Sequence, residues 1–247
     1  MDSSPEAPLV SLCTTVMNRL HHLRRTLLAN IAANHGFDRL EYVILDYSSS
    51  DGLADWARTD LAAHVAYGLV RFAQLPDRAH FQMAHAKNLS HRLARGGIVC
   101  NMDADNFSGC GFADYLMREF SSRSSIFVKG KGHGLGGRLA FRRDEFLALG
   151  GYDEAMADGW GHEDADLATR ALRSGYKQIT CHGFGKAIQH GDGERISHNV
   201  VKNKKESWRR HRMISRRNIR EGRLIANAGA AWGAGKVLVN FHTVISV

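Results

Sequence analysis

The sequence predicts an α/β fold, a mostly parallel sheet flanked by helices, and three observations carry that expectation. Over the first hundred residues, short apolar and β-branched runs alternate with segments of helical periodicity, the pattern of consecutive βαβ units. Polar residues gather where those runs end, and open α/β sheets take their ligands at the carboxyl ends of their strands. The chain is 247 residues long, 44% hydrophobic and 23% charged, the balance of a globular protein with enough length for one large core.

LVSLCTTV (9–16) reads as a buried first strand. Leu20, Leu23, Leu27, Leu28 and Ile31 recur at helical spacing and give a helix. YVILD (42–46) is a second strand, closed by the turn-forming SSSDG. Residues 53–63 suggest a helix, LVRFAQL (69–75) a third strand, residues 85–95 a helix and GIVCNMD (97–103) a fourth strand. The strand ends therefore present Thr15 to Arg19, Asp46 to Asp51 and Asp103 to Asn106. After residue 106 the alternation weakens. Residues 129–161 are glycine-rich and predict a loop, 163–174 a helix stopped by Gly175, 176–190 strands, and the stretch after 202 a helix.

The net charge is +8, and residues 202–223, with ten Lys or Arg against Glu206 and Glu221, account for all of it. A basic stretch of this kind suits a solvated helix face or contact with anionic lipid. It holds one aromatic residue, Trp208, and no nucleic-acid-binding motif, so no nucleic-acid partner is expected. No apolar run approaches the roughly 18 residues of a membrane span. The opening MDSSPEAPLVSL has no basic segment leading into an apolar one, so a cytoplasmic location is expected. Cys13, Cys100, Cys110 and Cys181 show no metal or disulfide spacing and predict reduced thiols.

Three short motifs carry chemistry. NMDADN sets Asp103 and Asp105 just past an apolar strand, where two carboxylates can face a Mg²⁺ or Mn²⁺ ion. It is no EF-hand loop, because Phe107 and Ser108 occupy positions that need a ligand and a glycine. LDYSSSDG (45–52) ends a strand in an acid that can accept an imide N–H, although a helix cap explains it as well. WGHEDADL (160–167) crowds Glu163, Asp164 and Asp166 at a helix start, which the helix dipole favours and which also offers a general base. Asp166 stands where the zinc motif HExxH needs its second histidine. Gly132, Gly134 and Gly137 match GxGxxG but do not follow the first strand of a βαβ unit, so a mobile loop is the better expectation than a dinucleotide site.

In order along the chain, these stretches resemble family 2 glycosyltransferases and the related galactosyltransferases. MNRLHHLRRTL (17–27) is similar to the N-R-x-x-x-L opening of that family and LDYSSSDG to its D-D-G-S-x-D-G motif. AHAKNLSHRLARGGIVCNMDADN (84–106) is similar to the run that ends in D-x-D, and GGYDEAMADGWGHEDADLATRAL (150–172) to the W-G-x-E-D region of the galactosyltransferases. Tyr47 and Met17 depart from the usual residues, and the QxxRW motif of processive synthases is missing.

The resemblance implies a GT-A fold with a nucleotide-sugar-binding half at 1–106, an acceptor half at 107–200 and a basic helical extension at 201–247. It implies a UDP-sugar donor, a glycan or glycoconjugate acceptor and Mn²⁺ or Mg²⁺ as cofactor. Donor contacts would come from Thr15, Asn18, Arg19, Asp46, Ser48, Lys87, Asn88, Asp103, Ala104 and Asp105. Asp103, Asp105 and His190 would hold the metal. Trp160 and Glu163 would meet the acceptor, and Asp164 would act as the base of an inverting transfer. A retaining transferase, a nucleotidyltransferase and a non-catalytic binding module remain alternatives, and the basic stretch would touch the inner face of a membrane.

Overall fold

The structure, a computed structural model, describes residues 9–247. Residues 1–8, most of the stretch read above for a leader, lie outside the described residues. Among the described residues no helix is long and apolar enough to cross a membrane.

Residues 10–101 form the predicted alternation. β1 (Val10–Val16) leads into α1 (Leu20–Ala33), then β2 (Leu40–Tyr47), α2 (Leu53–Asp60), α3 (Ala62–Ala66), β3 (Val70–Leu75), α4 (Met83–Leu93) and β4 (Ile98–Asn101). The helix expected at 53–63 breaks at Leu61, and the fourth strand is shorter than 97–103. β5 (Asn106–Phe107) and α5 (Phe112–Ser122) follow, then β6 (Ile126–Gly130). The stretch expected as one long loop holds β7 (Leu139–Arg142), α6 (Arg143–Ala148) and a 3-10 turn at Glu154–Met156. Glycines on both sides hide this short apolar hairpin partner in the sequence. α7 (Glu163–Arg173) ends before Gly175, whose φ of 93° suits the glycine that stops a helix. β8 (Lys177–Cys181), β9 (Lys186–Ala187), α8 (Asp192–Ile196), α9 (Lys204–Arg220), β10 (Lys236–Val239) and β11 (Thr243–Ser246) complete the chain.

The nine-stranded sheet has the order β11-β10-β3-β2-β1-β4-β7-β6-β8. Strands β3, β2, β1 and β4 pair in parallel, and only β7 and β10 run against the rest. β2 is buried at every position, as a central parallel strand covered on both faces must be. Alternate residues feed two cores. Leu12, Ile44 and Phe72 pack with α1, α2 and α5 on one face, while Cys13, Val43 and Leu45 pack with α4, α6 and α7 on the other.

The C-terminal stretch differs most from its expectation. α9 is helical as predicted, but β10 then pairs with β3 and extends the main sheet. The inner side of α9 is buried through Ser207, His211 and Ser215. The Ser207 hydroxyl accepts from the Trp160 N–H at 2.7 Å and donates to the Trp160 carbonyl at 3.0 Å. His211 lies 2.7 Å from the Gly161 carbonyl and 3.1 Å from Asp158. Residues 201–247 therefore hold other parts of the molecule in place.

Candidate active site

A cavity of about 440 Å³ opens above the carboxyl ends of β1 and β4. Its remaining walls are the 133–137 loop, the start of α7 and the segment around α8. Ten of the residues singled out in the sequence line it: Thr15, Arg19, Lys87, Asp103, Ala104, Asp105, Trp160, Glu163, Asp164 and His190.

On one wall, Asp105 and His190 meet with Nε2 and Oδ2 2.8 Å apart. Asn106 donates to the other Asp105 oxygen at 2.7 Å, and the Ile188 N–H donates to the Asp105 carbonyl at 2.8 Å. Burial, reinforced by Asp103, pushes the Asp105 carboxyl up, and His190 opposes the shift. Asp103 itself accepts from Asn101 Nδ2 at 3.0 Å. Oxygen and imidazole nitrogen side by side are donors that a divalent cation of the Mn²⁺ kind accepts.

On the facing wall, Lys87 projects from α4 to the first turn of α7. Its Nζ lies 2.9 Å from Glu163 Oε1 and 2.7 Å from Asp164 Oδ1. Lys87 and Glu163 are almost fully buried, whereas Asp164 reaches the cavity. Burial pulls the Lys87 amine down, but Asp164 and Glu163 outweigh it and keep the amine charged. The two carboxyls move in opposite directions. Burial and the neighbouring Glu163 push Asp164 well up. Burial also acts to raise Glu163, but Lys87 overrides it and holds the carboxyl below its usual range. A pair of acids whose surroundings push them apart in this way can divide acid and base roles between its members.

Four singled-out residues do not line the cavity. Asp46 is buried, its carboxyl raised by desolvation, and accepts from the Ser49 N–H at 2.8 Å. The Ser48 hydroxyl donates to the Leu75 carbonyl at 2.7 Å and accepts from the Arg78 N–H at 2.8 Å. Asn18, at φ 55°, accepts from the Ser50 N–H at 2.7 Å and so joins the loops after β1 and β2. Asn88 is fully buried, donating to the Tyr152 carbonyl and to Glu154 and accepting from the Tyr152 N–H. These side chains shape the loops from behind. Tyr47, the departure noted above, is buried and contacts His85 Nδ1 at 2.9 Å.

Other lining residues were not singled out as contacts. Gly137 is the most informative. A Cβ there would lie 2.9 Å from Asp164 Oδ2 and 3.2 Å from Asp103 Oδ2, so the glycine keeps open the gap between two acids. Its carbonyl accepts from Asn101 Nδ2 at 3.0 Å, and the Gly134 carbonyl accepts from Asn106 Nδ2 at 3.2 Å. The glycine-rich loop expected to be mobile is thus anchored at two points. Trp208, on α9, also reaches the cavity beside Trp160 and packs edge-on against His162. The sequence signal was a lone aromatic in the basic stretch.

A family model described as the N-terminal domain of galactosyltransferase matches residues 121–199. No curated protein matches. The mannosyltransferase PcManGT of Pyrobaculum calidifontis, solved with GDP-Man and Mn²⁺, superposes with a TM-score of 0.59 at 23% identity, over 71% of this chain and 55% of that one. Residues 1–349 of S. aureus TarS, solved with UDP, give 0.56 at 12% identity over 74% and 61%. GalNAc-T7, solved with UDP, GalNAc and Mn²⁺, gives 0.59 at 16% identity over 72% and 43%. The chain thus spans less than two thirds of the length of each of these proteins. With its parallel centre, its flanking helices and its cavity above the strand ends, the chain has the GT-A fold that these glycosyltransferases share.

Proposed function

We propose that this chain is a metal-dependent glycosyltransferase that moves a sugar from a UDP-sugar to a hydroxyl of a glycan or glycoconjugate, with inversion. The single observation that carries this reading is the pair of facing walls. Asp105 and His190 stand on one side, Lys87, Glu163 and Asp164 on the other, and Gly137 keeps the space beside Asp103 and Asp164 clear. The galactosyltransferase match and the nucleotide complexes of the structural neighbours support it. The match spans Trp160, Glu163 and Asp164, in keeping with the W-G-x-E-D reading.

The residues present fit a divalent cation. Asp105 offers a carboxylate oxygen and His190 Nε2 beside it, both facing the cavity, and Asp103 adds a carboxylate at the same strand end. These three would hold the ion, which neutralises charge on a leaving diphosphate when bound. Within the chain, Asp164 accepts the proton of the acceptor hydroxyl as that oxygen attacks the anomeric carbon. Lys87 holds Asp164 in place and keeps Glu163 charged beside it. Trp160 and Trp208 offer flat faces for a sugar ring, and the donor lies along Thr15, Arg19 and Ala104. The outer face of α9 contacts anionic lipid.

The direct experiment is a screen of nucleotide sugars for Mn²⁺-dependent hydrolysis, which needs no acceptor. Asp105→Ala should lose Mn²⁺-dependent UDP binding by calorimetry. Unchanged metal-dependent binding in that variant would remove Asp105 from the metal site.

A further inference from the structure

Beside the cavity, a second group of metal-type ligands gathers on residues with no part in the proposed transfer. His21 and His22 lie in the first turn of α1 and Glu194 in α8. His21 Nε2 stands 3.1 Å and His22 Nε2 3.6 Å from the same oxygen, Glu194 Oε1. One ligand atom from each of the three residues lies within 4.8 Å of the other two. The two imidazoles are tilted with ring centroids 4.1 Å apart, so consecutive helix residues aim at one point instead of diverging.

A second observation points the same way. His190 Nδ1 is buried and has no hydrogen-bond partner. It faces the other oxygen of Glu194, Oε2, at 3.7 Å, and its ring centroid is 5.0 Å from that of His22. A buried polar atom without a partner is costly. A small movement of Glu194 toward a bound ion would let Oε2 take up the His190 Nδ1–H, the carboxylate–histidine arrangement that orients metal ligands. Arg19, the nearby cation, donates through its guanidinium to the main-chain carbonyl of Glu194 and sets its Nε 3.7 Å from Glu194 Oε1, the oxygen that the two imidazoles also approach.

We propose that His21, His22 and Glu194 bind a transition-metal cation of the zinc class, at a site separate from Asp103 and Asp105. Two imidazole nitrogens and one carboxylate oxygen form the borderline donor set of Zn²⁺, with a fourth position open, whereas Mg²⁺ prefers oxygen alone. The ion ties the start of α1 to the segment carrying His190 and Arg195, which both line the cavity. Through Glu194 it also fixes the ring of His190.

The test is calorimetry with ZnCl₂ on the full chain, with Co²⁺ absorption as a report on coordination. Wild type should bind Zn²⁺, and Asp105→Ala should retain one equivalent. His21→Ala, at a mostly exposed position, should fold normally and weaken that equivalent at least about tenfold, since even outer-shell partners of metal ligands cost about 10–100-fold. Glu194→Gln should weaken it likewise, and both variants should lose the visible Co²⁺ bands. The proposal is overturned if wild type binds no Zn²⁺, if His21→Ala binds as wild type does, or if Asp105→Ala binds none.

Discussion

Single atoms decide what the cavity can do. Gly137 has a φ that any residue adopts, so Gly137→Ala should fold normally while placing a methyl group against the carboxyls of Asp103 and Asp164. Transfer should then fall while the melting temperature stays near wild type; full activity in that variant would mean that substrate does not pass between the two acids. Asp164→Asn keeps the size of the side chain but cannot take a proton. It should bind UDP and metal as wild type and lose transfer by at least about a hundredfold. Glu163→Gln should act differently, because it removes the charged partner of a buried lysine and lowers stability as well. Normal transfer in Asp164→Asn together with its loss in stable Glu163→Gln would exchange their roles. Asp166 serves another purpose: buried, it pairs with Arg170 at 2.7 Å, and Arg170 donates to the carbonyls of Leu149 and Gly151. Asp46 and Asn88 are buried behind the cavity and do not line it. A motif locates a strand end or a helix turn, but whether the side chain faces the ligand or braces a loop depends on contacts made elsewhere in the chain.

At the level of elements, α4 couples the site to the core. His91 is buried on it, lies 2.7 Å from the Lys87 carbonyl and stacks on Phe146 with ring centroids 4.7 Å apart. Burial lowers its imidazole from 6.5 to about 4, with the Lys87 charge adding to the effect and the hydrogen bond to the Lys87 carbonyl opposing it. Between those values the unfolded chain binds a proton that the folded chain refuses, so stability rises with pH. The contribution is present above about 6.5 and is lost as pH falls toward 4. The loss between pH 7 and pH 5 comes to about 2 kcal/mol. His91→Gln should therefore show a smaller drop in unfolding free energy between those two pH values in urea titrations. An unchanged drop would assign the pH dependence to other groups, such as His22, which burial also holds at about 4. The β1–α1–β2 and β3–α4–β4 units were legible because their apolar runs are long and periodic. β7 and β10, at four residues each, are too short to show a period. The buried side of α9 is built from serine and histidine, so no apolar stripe marks it.

Across the whole molecule, the excess charge concentrates on and around one helix, and four of its basic residues share one face. Lys205, Arg209, Arg216 and Arg220 are exposed at helical spacing on α9, around an exposed Met213, opposite the buried Ser207, His211 and Ser215. The sequence located the charge but could not show that the same helix braces the Trp160 loop from its other side. Truncation near residue 200 is therefore a poor test of membrane contact, because it also removes the clamp on Trp160 and two strands of the sheet. Replacing Lys205, Arg209, Arg216 and Arg220 with glutamine leaves the clamp intact. Each basic group near an anionic surface contributes about 1 kcal/mol, so the fourfold variant should bind vesicles containing phosphatidylserine about a thousandfold more weakly. Its melting temperature and its hydrolysis of donor should match wild type, because none of the four side chains lines the cavity. Binding of wild type should also weaken as salt is raised and vanish on vesicles of phosphatidylcholine alone. Equal co-sedimentation of the variant and wild type with phosphatidylserine vesicles would leave the outer face of α9 as a solvated surface and assign the function of the helix to its inner side.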